Sequence, residues 1–331
     1  MKTKMSIPQR IWAYVKGNPI VVMMALVSLI VGCTINNFFS LNNFNVLMGN
    51  TTIRFLIALG VSGCLITKGT DLSAGRQAAL AATLTGVMVQ RMDYAGRLFT
   101  WMPEMNMWVT LLVVLAIGAC IGLITGSIIA YLKVPPFIAT LGTQLICRAL
   151  CKLITPGPVS KLTPGFRFLG NGKVGPFHMI VIVMIIMFII LAFMLKMTRF
   201  GKSVYAVGGN DQAARVAGIN VEHTLVKVYM WCSLCAALGG VLLAGRSDSA
   251  DPANTGLNYE LDAIAAATVG GTSQTGGICR PSGVIAGILI MGVINNGMVM
   301  MGVNDQMTFI VKGLIIIGSV AFDMRKNAVK K

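Results

Sequence analysis

Long uncharged apolar runs alternate along this chain with short polar segments. No charged residue lies between Lys16 and Arg54, Glu104 and Lys133, Lys173 and Lys196, Lys227 and Arg246, or Arg280 and Asp305. A helix of roughly 20 apolar residues crosses a hydrocarbon core about 30 Å thick, so each run has room for one span. Inside lipid the backbone polar groups must pair within the segment, which predicts helices. The alternating segments of a transmembrane barrel do not occur in the sequence. The pattern therefore predicts an all-α polytopic membrane protein of about ten transmembrane helices. They fall near 20–37, 53–69, 73–91, 106–132, 136–154, 175–195, 225–245, 258–271, 281–302 and 307–323. The second, third, fifth, eighth and tenth hold charges or are short, as expected of helices buried in protein.

Composition agrees. Hydrophobic residues make up 55% and charged residues only 11%, whereas a soluble domain carries about 25% charged residues. A water-soluble chain of this kind would expose large apolar patches. The net charge of +16 is gathered in segments between the apolar runs: Lys2, Lys4, Arg10 and Lys16; Lys196, Arg199, Lys202 and Arg215; Arg325, Lys326, Lys330 and Lys331. This is the positive-inside pattern. It predicts cytoplasmic N- and C-termini, with 1–18, 196–224 and 324–331 inside and 38–52, 92–105, 155–174, 246–257 and a turn near Asn304 outside. Lys161, Arg167 and Lys173 run against the rule, but the Pro-Gly turns around them predict a folded surface loop. No continuous basic face suits nucleic acid. The first apolar run is long for a signal peptide and lacks a small-residue cleavage site, so it reads as a retained span.

Candidate chemistry is sparse. Cys232 and Cys235 form a C-x-x-C, read as two small apolar residues on one helix face, and no histidine pair completes a metal site. No metal ligand is assigned. Phe200-Gly201-Lys202-Ser203 resembles part of a phosphate loop, but Lys196 stands where the first glycine belongs, so this chain should not bind ATP itself and any ATP hydrolysis would come from a partner. The two histidines, His178 and His223, are far apart and make an intramembrane enzyme a poor reading. Gly118, Gly122 and Gly126, and Gly283 with Gly287, recur every four residues and predict close helix packing.

The polar segment before the seventh span carries a local signal. Asn210 is a good N-cap, Asp211 suits the first turn of a helix, and Gly218 is a C′ stop. A two-turn helix outside the bilayer follows. On these grounds alone it reads equally as a connector or as a docking element for a soluble partner.

Ordered motifs add a resemblance. Gly209-Asn-Asp-Gln-Ala-Ala-Arg215-Val-Ala-Gly218-Ile is similar to the ATPase-facing loop of the ribose/galactose/xylose-type ABC permeases, which belong to a larger family with the branched-chain amino-acid permeases. Gly69-Thr-Asp71-Leu-Ser-Ala-Gly75, Val134-Pro-Pro-Phe-Ile-Ala-Thr140-Leu-Gly142, Tyr259-Glu260-Leu-Asp262 through Thr272, and Lys312 to Ile317 resemble further family motifs in order. Arg76 and Ala74 depart from the residues frequent there. The galactose/methyl-galactoside type is the most similar in look.

The resemblance implies a non-catalytic permease subunit of an importer in the bacterial inner membrane. A periplasmic sugar-binding protein delivers a monosaccharide, two permease copies form the pathway, and a cytoplasmic ATPase binding ATP and Mg drives alternating access. No cofactor is expected in this chain. Gly209, Asn210, Asp211, Ala214, Arg215 and Gly218 would form the coupling element, with Arg215 facing an acid of the ATPase. A pathway for neutral sugars needs hydroxyls and amides, which nominates Thr140, Thr143, Gln144, Asn295 and Asn296, although helix–helix hydrogen bonding explains them equally. Asp71, Glu260 and Asp262 are expected to pair structurally with Arg76, Lys68 or Arg280, in preference to a proton relay. An ion-coupled secondary transporter, a channel, or a permease for another pentose or hexose remains the alternative.

Overall fold

The computed structural model describes residues 26 and 29–328, without the side chains of 305, 319 and 322–328. The 1–18 segment and the first part of the 20–37 span (20–25, 27 and 28) lie outside the described residues, as does the end of the 324–331 tail; 29–34 is helical. Twelve further helices follow among the described residues: α1 (Leu41–Ile66), α2 (Ala74–Met88), α3 (Met107–Tyr131), α4 (Pro136–Ile154), α5 (Pro164–Asn171), α6 (Met179–Met197), α7 (Arg199–Gly209), α8 (Asp211–Val216), α9 (Val221–Ser247), α10 (Tyr259–Val269), α11 (Pro281–Met300) and α12 (Asp305–Ala328). Six of them, α1, α3, α4, α6, α9 and α11, are long and apolar enough to cross a membrane.

α1 and α9 form the centre. Their side chains are mostly buried, with Phe55, Leu56, Leu59, Tyr229, Cys232 and Leu242 in the core. α3, α4 and α6 instead turn large apolar residues outward, among them Leu112, Ile124, Leu145, Ile146 and Phe193. Such faces suit lipid. The predicted glycine stripe explains how α3 lies on α9. A Cβ at Gly118, Gly122 or Gly126 would come within 2.6–2.9 Å of Ala237, Met230 or Val226, so only glycine permits this approach.

Several boundaries differ from expectation. The 38–52 segment is not a loop, because α1 begins at Leu41, capped by Ser40, whose hydroxyl accepts from the Asn43 N–H. Several of its polar residues find partners inside the protein, which apolar patterning does not register; Thr52 Oγ1, for example, donates to the Met48 carbonyl at 2.7 Å. The 155–174 segment is indeed a folded surface structure. It carries β1 (Val159–Ser160), α5 and β2 (Lys173–Val174). β1 pairs antiparallel with β4 (Ser249–Ala250), and β2 with β3 (Phe177–His178). The polar segment at 196–224 holds two helices, α7 and α8, rather than one. The last helix continues to Ala328, past the expected boundary at 323.

The third and eighth spans are short. α2 has 15 residues and α10 has 11, about 22 and 16 Å of helix, well below a bilayer core of about 30 Å. Each is continued by partly buried irregular backbone, which is tolerated at membrane depth where protein surrounds it. Residues 67–73 lead from the α7 end of the bundle into α2. Residues 270–280 lead from α10 back to that end, where the Gly277 N–H donates to the Ile66 carbonyl at 2.8 Å. The N-termini of α2 and α10 meet inside the bundle: a Cβ on Gly75 would lie 2.6 Å from the Gly256 carbonyl, and Arg76 Nη1 donates to the Ala253 carbonyl at 2.9 Å.

Candidate functional site

Two regions carry functional geometry, at opposite ends of α9. The first is α8. Asn210 Oδ1 accepts from the Ala213 N–H at 3.0 Å, Asp211 occupies the first turn, and Gly218 closes the helix at φ +80°. All three local predictions hold for the same reason: cap chemistry depends on neighbours in sequence. Ala214 is buried with Val207 and Val221, fastening α8 to α7 and α9. Gly209 carries the carbonyl that accepts from Lys68 Nζ at 3.3 Å.

Arg215 also has a partner within this chain. Its guanidinium already grips Glu222 of this chain, with Nη2–Oε1 at 2.5 Å and Nη1–Oε2 at 3.1 Å. Lys133 Nζ joins the same carboxylate at 2.9 Å. The hydrogen bond to Glu222 holds the Arg215 guanidinium even more firmly in its charged form. Glu222 lies seven residues on, after the helix stop, where helical spacing gives no hint of a partner. This forked pair ties α8 to the foot of α9 and, through Lys133, to the α3–α4 turn.

The second region is a cavity of about 400 Å³ lined by Asn50, Arg54, Asn171, Arg246, Tyr259 and Asn295, with a few apolar neighbours. It lies roughly 37 Å along α9 from the α8 end. Arg246 Nε donates to Asn50 Oδ1 at 3.0 Å, and Asn171 Nδ2 donates to the Arg246 carbonyl at 2.7 Å. The Arg54 guanidinium sits 4.5 Å over the Tyr259 ring. Amides, two guanidiniums and an aromatic ring converge here. Such a site can hold a small neutral polar molecule by hydrogen bonds and stacking.

Of the five nominated pathway residues, only Asn295 lines this cavity. Asn296 donates to Asn43 Oδ1 at 2.9 Å. Thr143 bonds Thr125 at 2.9 Å, joining α4 to α3, and Thr140 donates to the Pro136 carbonyl of its own helix at 2.8 Å. Gln144 reaches Glu260 at 3.4 Å. Four of the five thus make contacts within or between elements, and the structure does not gather the set. Asn50, Arg54, Asn171 and Arg246 escaped sequence reasoning, which reached Tyr259 only as part of a motif. Arg54, a charge inside an apolar helix, was the available signal.

The buried acids find partners other than those expected. Asp262 Oδ2 binds Arg54 Nε at 2.9 Å and Lys312 Nζ at 3.0 Å, and neither Lys68 nor Arg280 takes part. Glu260, also buried, has no ion pair among the described residues; Gln144 meets one oxygen and the other is unbonded there. Asp71 likewise lacks a basic partner among the described residues, its Oδ1 accepting from the Ser73 N–H at 2.8 Å and hydroxyl at 2.5 Å. Asp262's partners come from α1 and α12, which pack against α10, and motif adjacency does not contain them.

Comparison with known proteins matches this architecture. The model of the family described as branched-chain amino acid transport system / permease component matches residues 43–320. The chain is 45% identical over 302 residues to the galactose/methyl galactoside import permease protein of Haemophilus influenzae, covering 89% of this chain and 90% of that one. It is 43% identical to the protein of that name from Escherichia coli, covering 96% and 97%. The ribose import permease protein of Escherichia coli is 37% identical, covering 88% of each chain. No solved structure matches. Apolar spans, polar interior and match together make this chain a multi-pass membrane protein and a transport permease rather than an enzyme, and it belongs to the branched-chain amino acid transport system / permease component family.

Proposed function

We propose that this chain is the membrane-spanning subunit of an ATP-driven importer of galactose or methyl galactoside in the bacterial inner membrane. The observation that carries the reading is 45% identity over 89% of the chain to a galactose/methyl galactoside import permease, against 37% to a ribose import permease. The whole chain, 1–331, is one permease domain of ten spans with both termini in the cytoplasm. Segments 1–18 and 324–331 are its cytoplasmic ends, and 196–224 is its coupling loop. Two copies form the pathway, a periplasmic sugar-binding protein delivers the sugar, and a cytoplasmic ATPase binds ATP and Mg.

On this reading α8 is the coupling helix. Its caps and the Arg215–Glu222 fork make it a rigid lever against α9, and Val216, 91% exposed, offers the ATPase an apolar knob. The cavity at the other end of α9 is the periplasmic vestibule. Its amides and guanidiniums match vicinal hydroxyls without demanding a charged substrate.

The test is uptake in a strain lacking its own galactose importers, supplied with this chain, its ATPase and its binding protein. Accumulation of labelled galactose that stops on ATP depletion, with the proton gradient kept, is expected. Uptake that survives ATP depletion would point to an ion-coupled carrier or channel. Uptake of ribose without galactose would move the substrate to a pentose.

A further inference from the structure

Three residues far apart in sequence converge near the α7 end of the bundle. Cys64 on the last turn of α1, Asp71 in the irregular segment before α2, and Cys232 on α9 bring two thiols and a carboxylate oxygen within 4.8 Å of one another. All three side chains are fully buried. The cysteines are free thiols.

The carboxylate is in an unusual position. Asp71 Oδ1 accepts two bonds from Ser73, but Oδ2 makes none among the described residues. No arginine or lysine pairs with it among the described residues. An isolated buried carboxylate is costly unless a counter-charge or a proton accompanies it. A second orphan lies beside it. Tyr229, three residues before Cys232 and hence on the same face of α9, presses its hydroxyl against Gly69, and that hydroxyl also lacks a partner.

We propose that Cys64, Asp71 and Cys232 bind one thiophilic divalent cation of the zinc class, with the Tyr229 hydroxyl available as a fourth donor. Two sulfurs and one or two oxygens are a donor set that Zn2+ accepts in tetrahedral geometry. Zn–S bonds of about 2.3 Å and Zn–O bonds of about 2.0–2.2 Å place ligand atoms up to roughly 4 Å apart, so little rearrangement is required. Ligation releases the two thiol protons to water, and the two thiolates with the carboxylate offset the metal charge. The ion would tie α1, the approach to α2, and α9 together next to α7, whose Gly208 packs on the Ile66 carbonyl. This site stands independently of the sugar-import reading.

The experiment uses the full chain in detergent, reduced and washed with chelator, then titrated with Co2+ alone and followed by absorbance. One Co2+ per chain, with thiolate-to-cobalt charge-transfer bands that Zn2+ abolishes, is expected. Cys64→Ser and Cys232→Ser should each weaken Co2+ binding at least about 100-fold, more than loss of an outer-shell partner does. Cys235→Ser, on the same helix outside the cluster, should leave binding unchanged. Absence of the bands in the unaltered chain overturns the site, whatever the variants do. So do bands that persist in both serine variants.

Discussion

Asp262 shows how much one residue can hold inside this bundle. Two cations, Arg54 and Lys312, converge on its Oδ2 within 3.0 Å, and all three side chains are largely shielded. Removing one partner of a buried pair strands the rest, which typically destabilises by 3–5 kcal/mol. Asp262→Ala should therefore lower the thermal midpoint of the purified protein sharply, as read by size-exclusion monodispersity after heating. Combining Arg54→Met and Lys312→Met with Asp262→Leu should recover much of that loss. Gly75 makes a complementary case. A methyl group there would strike Glu260 and lie 2.6 Å from the Gly256 carbonyl, whereas Gly142 faces open space. Gly75→Ala should destabilise by about 1–3 kcal/mol through overpacking, and Gly142→Ala should be near neutral in the same assay. Motif reading marked Asp262 and Gly75 as special, but their partners (Arg54 and Lys312 for the first, Gly256 and Glu260 for the second) lie 50 to 208 residues away, beyond the reach of local pattern.

At the scale of elements, α8 is the part most legible in sequence and α7 the least. The cap, first-turn acid and stop glycine of α8 act over a few residues, so the sequence displays them directly. α7 contains Gly201, Gly208 and Gly209, which weaken helix propensity, yet it forms because Gly208 lets its backbone sit against Ile66 and Gly277. Tertiary packing overrides propensity there. The Arg215–Glu222 fork yields an element-scale prediction. Arg215→Glu replaces attraction by repulsion at the foot of α9, and should reduce sugar uptake severalfold while the protein still inserts. Glu222→Arg in the same chain should restore part of the uptake if the fork is what fixes α8. Unchanged uptake in the single variant would remove α8 from the coupling role. Asn210→Ala should act in the same direction but more weakly, since losing a cap costs about 1 kcal/mol.

For the whole molecule, the cavity at Asn50 and Arg246 and the helix α8 sit at the two ends of α9, a helix of 27 residues and roughly 40 Å. Paired Asn50→Leu and Asn295→Leu changes should raise the half-saturating sugar concentration for uptake or abolish it, with the ATPase still associating with the permease. Normal uptake kinetics would put the sugar path elsewhere. The sequence by itself determined that the chain crosses a membrane repeatedly as helices, where α3, α4, α6 and α11 lie, and that a capped helix precedes α9. These follow from uncharged length and from chemistry acting between near neighbours. Tertiary structure alone decided that α2 and α10 are short helices meeting inside the bundle, that Asp262 joins Arg54 and Lys312, and that Cys64, Asp71 and Cys232 converge. The physical reason is that hydropathy specifies which segments leave water, whereas the pairing of polar groups within lipid is fixed by how helices cross, and crossing is a property of the packed whole.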